Sequence, residues 1–131
     1  DDVGLATLGS RIIPPVGDVS WEIDEAVRPG SGEPVLNKRS AGTFATANLE
    51  QRLRDRSVES VVVTGVATDV CVSTTAREAA DRNFKVVVVS DACTTLSEQL
   101  HHANLETLHV FGWVRTANEV IEVARGAVRA V

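Results

Sequence analysis

Two runs of β-branched residues, Val61-Val62-Val63 and Val86 through Val89, constrain this chain more than any other feature of it. A strand with one wet face alternates apolar and polar residues. A strand buried on both faces of a parallel sheet reads as a continuous apolar run, and Ser60 to Val66 and Lys85 to Ser90 are of that kind. Each run is followed by a helical pattern, over Val70 to Arg82 and over Ser97 to Val110. A short strand at Trp113 to Arg115 and a last helix over Asn118 to Val128 continue the alternation. Strands and helices in this order predict an α/β fold with a parallel sheet and right-handed crossovers.

Upstream of that unit the pattern is weaker. Thr43 to Arg56 carries Phe44, Ala47, Leu49 and Leu53 at the spacing of an amphipathic helix, with Val35-Leu36 as a brief strand before it. Residues 1–34 hold all four prolines and five of the nine glycines, which reads mostly as loop. Within it Val19, Trp21 and Ile23 alternate with polar neighbours and predict a short strand. At 131 residues, 44% of them hydrophobic, the chain supports one core, so residues 1–131 are read as a single domain.

Composition narrows the function. A net charge of -5, with thirteen scattered Lys and Arg, gives no basic footprint for nucleic acid. No apolar stretch is long enough to cross a bilayer. Two cysteines form at most one bridge, which fits a reducing cytoplasm better than a secreted disulfide scaffold. The chain starts Asp1-Asp2 and has no Met, so a preceding segment is expected. A dinucleotide-binding reading fails on the loop after the first strand: TGVATDV has one glycine where the phosphate-binding fingerprint needs three.

In parallel sheets ligands bind at the carboxyl ends of the strands, where loops lead into helix N-termini. Cys71 sits at such a place, following Ser60 to Val66 through Ala67-Thr68-Asp69-Val70. The positive end of a helix dipole suits an attacking thiolate, and free N–H groups there can hold an oxyanion. The bland alternative is a small buried residue packing helix against sheet. Asp69 is read as the cap of the helix beginning near Val70. Asp91 is read as a hydrogen-bond anchor for the loop after its strand, and Cys93 as core filler. His101, His102 and His109 lie on one helical stretch without a third metal ligand, which reads as a solvated or half-buried face.

The string VVVTGVATDVCVSTTAREAADRNFKVVVVSDA, with VLNKRSAGTF upstream, resembles the isochorismatase-like cysteine hydrolases, the relatives of nicotinamidase and N-carbamoylsarcosine amidase, over roughly residues 34–122. The resemblance implies a three-layer αβα Rossmann-like fold with a mostly parallel sheet, its N-terminal strands missing from this chain. It makes Cys71 the nucleophile and Lys38 the cationic member of a catalytic triad. The backbone N–H groups of Ala67 and Cys71 become the oxyanion hole, and a non-proline cis peptide is expected between Val66 and Ala67. Phe44, Trp21, Val66 and Thr68 are the candidate substrate contacts. The resemblance puts the triad's Asp in a strand that precedes everything in this chain, and neither Asp1 nor Asp2 has the apolar context for it.

The resemblance further implies a homo-oligomer that hydrolyses the C–N bond of a small amide or carbamoyl compound through a thioester. Relatives acting on the vinyl ether of isochorismate generally lack the Cys, so its presence favours amide chemistry. The residues present require no cofactor, and the divalent metal of some members would need ligands upstream of Asp1. The competing reading is a catalytically incomplete ligand-binding or oligomer-assembly module, motivated by the missing strands and Asp.

Overall fold

The computed structural model describes residues 17–129. It divides into two units, one up to Asn37 and one from Lys38 onward. In the first, Asp18 and Asp24 accept the N–H of Ser20 and Ala26 and cap two single 3₁₀ turns, Val19–Trp21 and Glu25–Val27. The strand expected around Trp21 is therefore not formed. The side chain of Asp18 draws the backbone into a turn before any ladder can start. Val35-Leu36 has no strand partner and stays irregular. The part of the predicted loop before residue 17 lies outside the described residues.

The second unit carries the α/β pattern. Helix α1 (Leu49–Arg54) precedes strand β1 (Ser60–Val66), which passes through a π-type turn (Thr68–Val72) into α2 (Ser73–Asp81). Strand β2 (Lys85–Thr94), helix α3 (Glu98–Leu108), strand β3 (Trp113–Arg115) and helix α4 (Ala117–Arg129) follow. The three strands form one parallel sheet in the order β1-β2-β3, with Val62 opposite Val87 and Val88 opposite Val114. Val88 and Val89 point to opposite faces of β2 and are both buried, because α2, α3 and α4 all pack on that strand. Helices thus cover both faces, the αβα arrangement expected.

Strand β1 departs from expectation. Its residues alternate between exposed and half-buried, and Val62 and Val66 are 53% and 68% exposed. Among the described residues it pairs on one side only, with β2, and the face that carries Ser60, Val62, Thr64 and Val66 is exposed. Its register shifts between Val63 and Gly65, where Gly65 takes φ +118°, a conformation that L side chains rarely adopt. Beyond the shift the pairing resumes with Cys93, which is why β2 runs on past Ser90 to Thr94.

The helix expected over Thr43 to Arg56 is shortened to α1. Residues 43–47 form turns instead, ending at Asn48 with φ +50°. Tertiary bonds override the helical spacing: Phe44 N–H donates to Glu78 Oε2 at 3.1 Å, and the hydroxyls of Thr43 and Thr75 meet at 3.2 Å. Gly42 lies so close to the Glu78 carboxylate that a Cβ there would clash with it. The segment after Lys38 is therefore moulded onto α2. Buried Val72, Ala76, Ala79, Phe84, Val86, Val88 and Leu108 fill the core between α2, β2 and α3.

Candidate active site

The site grows from the carboxyl ends of β1 and β2, which the parallel sheet brings to the same edge. The Val66–Ala67 peptide is cis, as the resemblance implies. Ala67 then precedes the π-type turn, and its carbonyl accepts from both Val70 and Val72 at 3.1 Å. Cys71 lies between those two donors, half-buried and unbridged. The helix pattern thus begins earlier than Val70 and in a wider register, with Ser73 as the first residue of regular α-helix.

Lys38 reaches Cys71 from the loop that Glu78 and Thr75 hold against α2. Its Nζ donates to the carbonyls of Ser40 at 2.8 Å and Ala41 at 3.1 Å, and to Cys71 Sγ at 3.5 Å. An ammonium has three donors, so this geometry assigns each of them one acceptor. Two carbonyls aim the third N–H at sulfur. The loop is closed further by Ser40, whose hydroxyl donates to the Gly42 carbonyl at 2.7 Å, and by Arg39 N–H, which donates to Thr46 Oγ1 at 3.0 Å. Among the described residues no carboxylate bonds to Lys38 or Cys71.

The other candidates part company. Val66 is exposed beside Ala67 and remains available for contact. Thr68 is 0% exposed, and its hydroxyl pairs with His101 Nδ1 at 2.9 Å, so its side chain belongs to the scaffold of the turn. Phe44 is buried against Phe84, with ring centroids 5.8 Å apart, and its ring is a core element. Trp21 belongs to the first unit, where it closes the Val19–Trp21 turn, and its contact with substrate is carried forward as a proposal.

Two polar residues, Asp69 and Asp91, do other work than expected, while the histidines lie on a half-buried to exposed face as read. Asp69 makes no cap to the helix; the cap position is Ala67, and Asp69 Oδ1 instead accepts from Thr95 Oγ1 at 2.5 Å. The reason is the wide turn, which starts before Asp69 and leaves its carboxylate facing the end of β2. Asp91 lies within β2 and takes the N–H of Ala117 at 2.7 Å, anchoring α4 rather than the loop that follows. His101 is half-buried on Thr68, whereas exposed His102 faces Glu98 at 3.7 Å. Cys93 is buried as expected, and burial raises its thiol above the ordinary range. Thr75, Glu78, Thr95 and His101 were not singled out for the site from sequence.

No three His, Cys, Asp or Glu side chains gather at metal-binding distance among the described residues. No described helix is long and apolar enough to cross a membrane.

A cysteine-bearing turn at the carboxyl edge of a parallel sheet, faced by a lysine, sets a candidate thiol site on an α/β fold. The family pattern of the isochorismatase domain matches residues 10–119, and the chain belongs to that family. It is 36% identical over 99 residues to a ureidoacrylate amidohydrolase, RutB, of Methylobacterium radiotolerans, a match covering 72% of this chain and 38% of that protein. It is 38% identical over 79 residues to nicotinamidase 3 of Arabidopsis thaliana, covering 60% and 39% respectively. A crystal structure of a cysteine hydrolase from Pseudomonas syringae pv. phaseolicola superposes with a TM-score of 0.80 at 30% identity, covering 86% of this chain and 58% of that one. The chain spans less than half the length of these two curated relatives.

Proposed function

We propose that this family member hydrolyses a C–N bond of a small amide or carbamoyl compound through a thioester on Cys71. The observation that carries the reading is the Lys38 ammonium 3.5 Å from Cys71 Sγ, aimed there by two carbonyls. The thiolate is the form that attacks, and Lys38 sets its charge beside that sulfur. Sulfur would add to the carbonyl carbon, with the N–H groups of Ala67 and Cys71 as donors to the oxyanion. Collapse breaks the C–N bond, the nitrogen leaves with a proton, and the acyl group stays on sulfur. Water then cleaves the thioester, releasing the carboxylic acid and restoring the thiol.

The base that takes the thiol proton is, on the resemblance, an Asp before the matched stretch. Val66 and Trp21 are proposed to touch the substrate. Similarity to an amidohydrolase of ureidoacrylate and to a nicotinamidase supports small planar amides as the class to screen. Residues 1–131 are kept as one domain, since the family match runs across the boundary at Asn37. A cytoplasmic homo-oligomer is the proposed setting.

Cys71→Ala should lower turnover of the best amide by a factor on the order of 10⁴ while thermal unfolding stays cooperative. An active variant would sink the thioester mechanism. The second reading, an assembly module without catalysis, draws on the one-sided pairing and exposed valines of β1. It predicts that no amide is turned over by the wild-type chain.

A further inference from the structure

The turn that carries Cys71 has little of its own to fix it. Its register is wide, its cap residue Ala67 contributes no side-chain bond, and its first carbonyl is shared between two N–H groups. What holds it comes from the side. Thr68, wholly buried, pairs with His101 Nδ1 at 2.9 Å, and Asp69 accepts from Thr95 Oγ1 at 2.5 Å. Both partners lie on the stretch that follows β2. Thr95 comes directly after the strand, and His101 sits in the first turns of α3.

That stretch is itself well anchored. Ser97 caps α3 by accepting the Leu100 N–H at 3.3 Å, the His101 N–H donates to the Ser97 carbonyl at 2.9 Å, and Leu105 and Leu108 of α3 are buried in the core. The His102 ring stands edge-on to that of His101, with centroids 5.4 Å apart. Two adjacent residues of one turn, Thr68 and Asp69, are thus tied to two points 6 residues apart on a neighbouring segment. Two ties fix orientation where one would leave a pivot.

We propose that Thr95 and His101 are positioning residues for the nucleophile, a two-point clamp that fixes the Thr68–Val72 turn so that Cys71 Sγ meets Lys38. The proposal rests on the reading of Cys71 as nucleophile. Neither residue bonds to Cys71; both act through the turn. A displacement of about 1 Å at a reacting group costs on the order of 10²-fold in rate, so small slack in this turn has a large effect.

The test measures iodoacetamide labelling of Cys71 by peptide mapping, with Cys93 as internal reference, together with unfolding temperature and kcat and KM on an amide the chain hydrolyses. In the wild-type chain Cys71 labels faster than Cys93. His101→Leu slows Cys71 labelling and kcat by about 10²-fold with KM little changed, and His101→Asn, which keeps a nitrogen or oxygen near Nδ1, restores most of both. Thr95→Val gives a smaller loss in the same direction. Adding Thr68→Val to His101→Leu costs nothing further, since both remove one bond. Unchanged labelling in His101→Leu and Thr95→Val overturns the clamp, as does a loss that follows unfolding temperature and is not rescued by Asn. Equal labelling of Cys71 and Cys93 in the wild-type chain defeats the nucleophile reading, and the clamp with it.

Discussion

At Lys38 each of the three ammonium donors has an acceptor. With two donors committed to Ser40 and Ala41, the third has Cys71 Sγ before it. Lys38→Met keeps the length of the side chain and removes the charge, and it should slow alkylation of Cys71 at neutral pH by at least about tenfold. Lys38→Arg should not restore it, since a planar guanidinium cannot reproduce three tetrahedral donors. Cys93 behaves oppositely. Burial raises its thiol above the unfolded value, so the protonated form stabilises the fold. That contribution is whole below the ordinary thiol range, about 8.5, and is lost as pH rises past it. Melting temperature should therefore fall between pH 8 and 10, and Cys93→Ala should flatten the fall. That Lys38 and Cys71 come together was legible through the two strings that resemble the family. Thr95 and His101 were not, because their partners lie 26 and 33 residues away, and nothing local distinguishes a clamping histidine from a solvated one.

The elements show where periodicity suffices and where tertiary bonds override it. Val86 to Val89, α2 and α3 came out close to their predicted spans, since their apolar faces are long and have one core to meet. The stretch 43–47 has helical spacing too, yet Glu78 and Thr75 of α2 take its polar groups, and Lys38 depends on the loop that results. The start of α4 is local again. Glu119 Oε2 accepts the N–H of Thr116 at 2.7 Å and its hydroxyl at 2.9 Å, while Thr116 Oγ1 accepts the Glu119 N–H at 3.4 Å, a reciprocal capping box. Those two bonds from Thr116 hold the Glu119 carboxyl below its ordinary range. A carboxylate lowered in the folded state stabilises it above the unfolded carboxylate's range, and that stabilisation disappears as pH falls through the folded value. Helicity measured by circular dichroism should decline between pH 5 and 3 in wild type. Glu119→Gln should show the weaker helix already at pH 7 and little further change on acidification.

On the scale of the molecule, the least settled surface is the free side of β1. Among the described residues that side has no strand partner, and a groove of about 430 Å³ lined by Phe44, Leu49, Leu53, Val61, Val62 and Val63 lies along β1. An apolar strand edge with a groove beside it is a template for another strand, and nothing on β1 blunts it: from Ser60 to Val66 there is neither Pro nor a charged residue. The sequence predicted a β1 buried on both faces, and the residues are indeed those of such a strand. The 131-residue polypeptide should therefore self-associate, with a sedimentation coefficient that rises with concentration across the micromolar range. Val62→Lys places a charge on an exposed position of that edge and should shift the distribution to monomer, while β1 keeps its pairing with β2 and the melting temperature changes little. A wild-type chain that stays monomeric at every concentration would show that the edge is shielded within the chain itself. If Val62→Lys is monomeric and its Cys71 labels as fast as in wild type, association and the Lys38–Cys71 arrangement are independent. If labelling slows as the chain dissociates, the covered edge of β1 is part of what holds the adjoining Ala67–Cys71 turn in its working form.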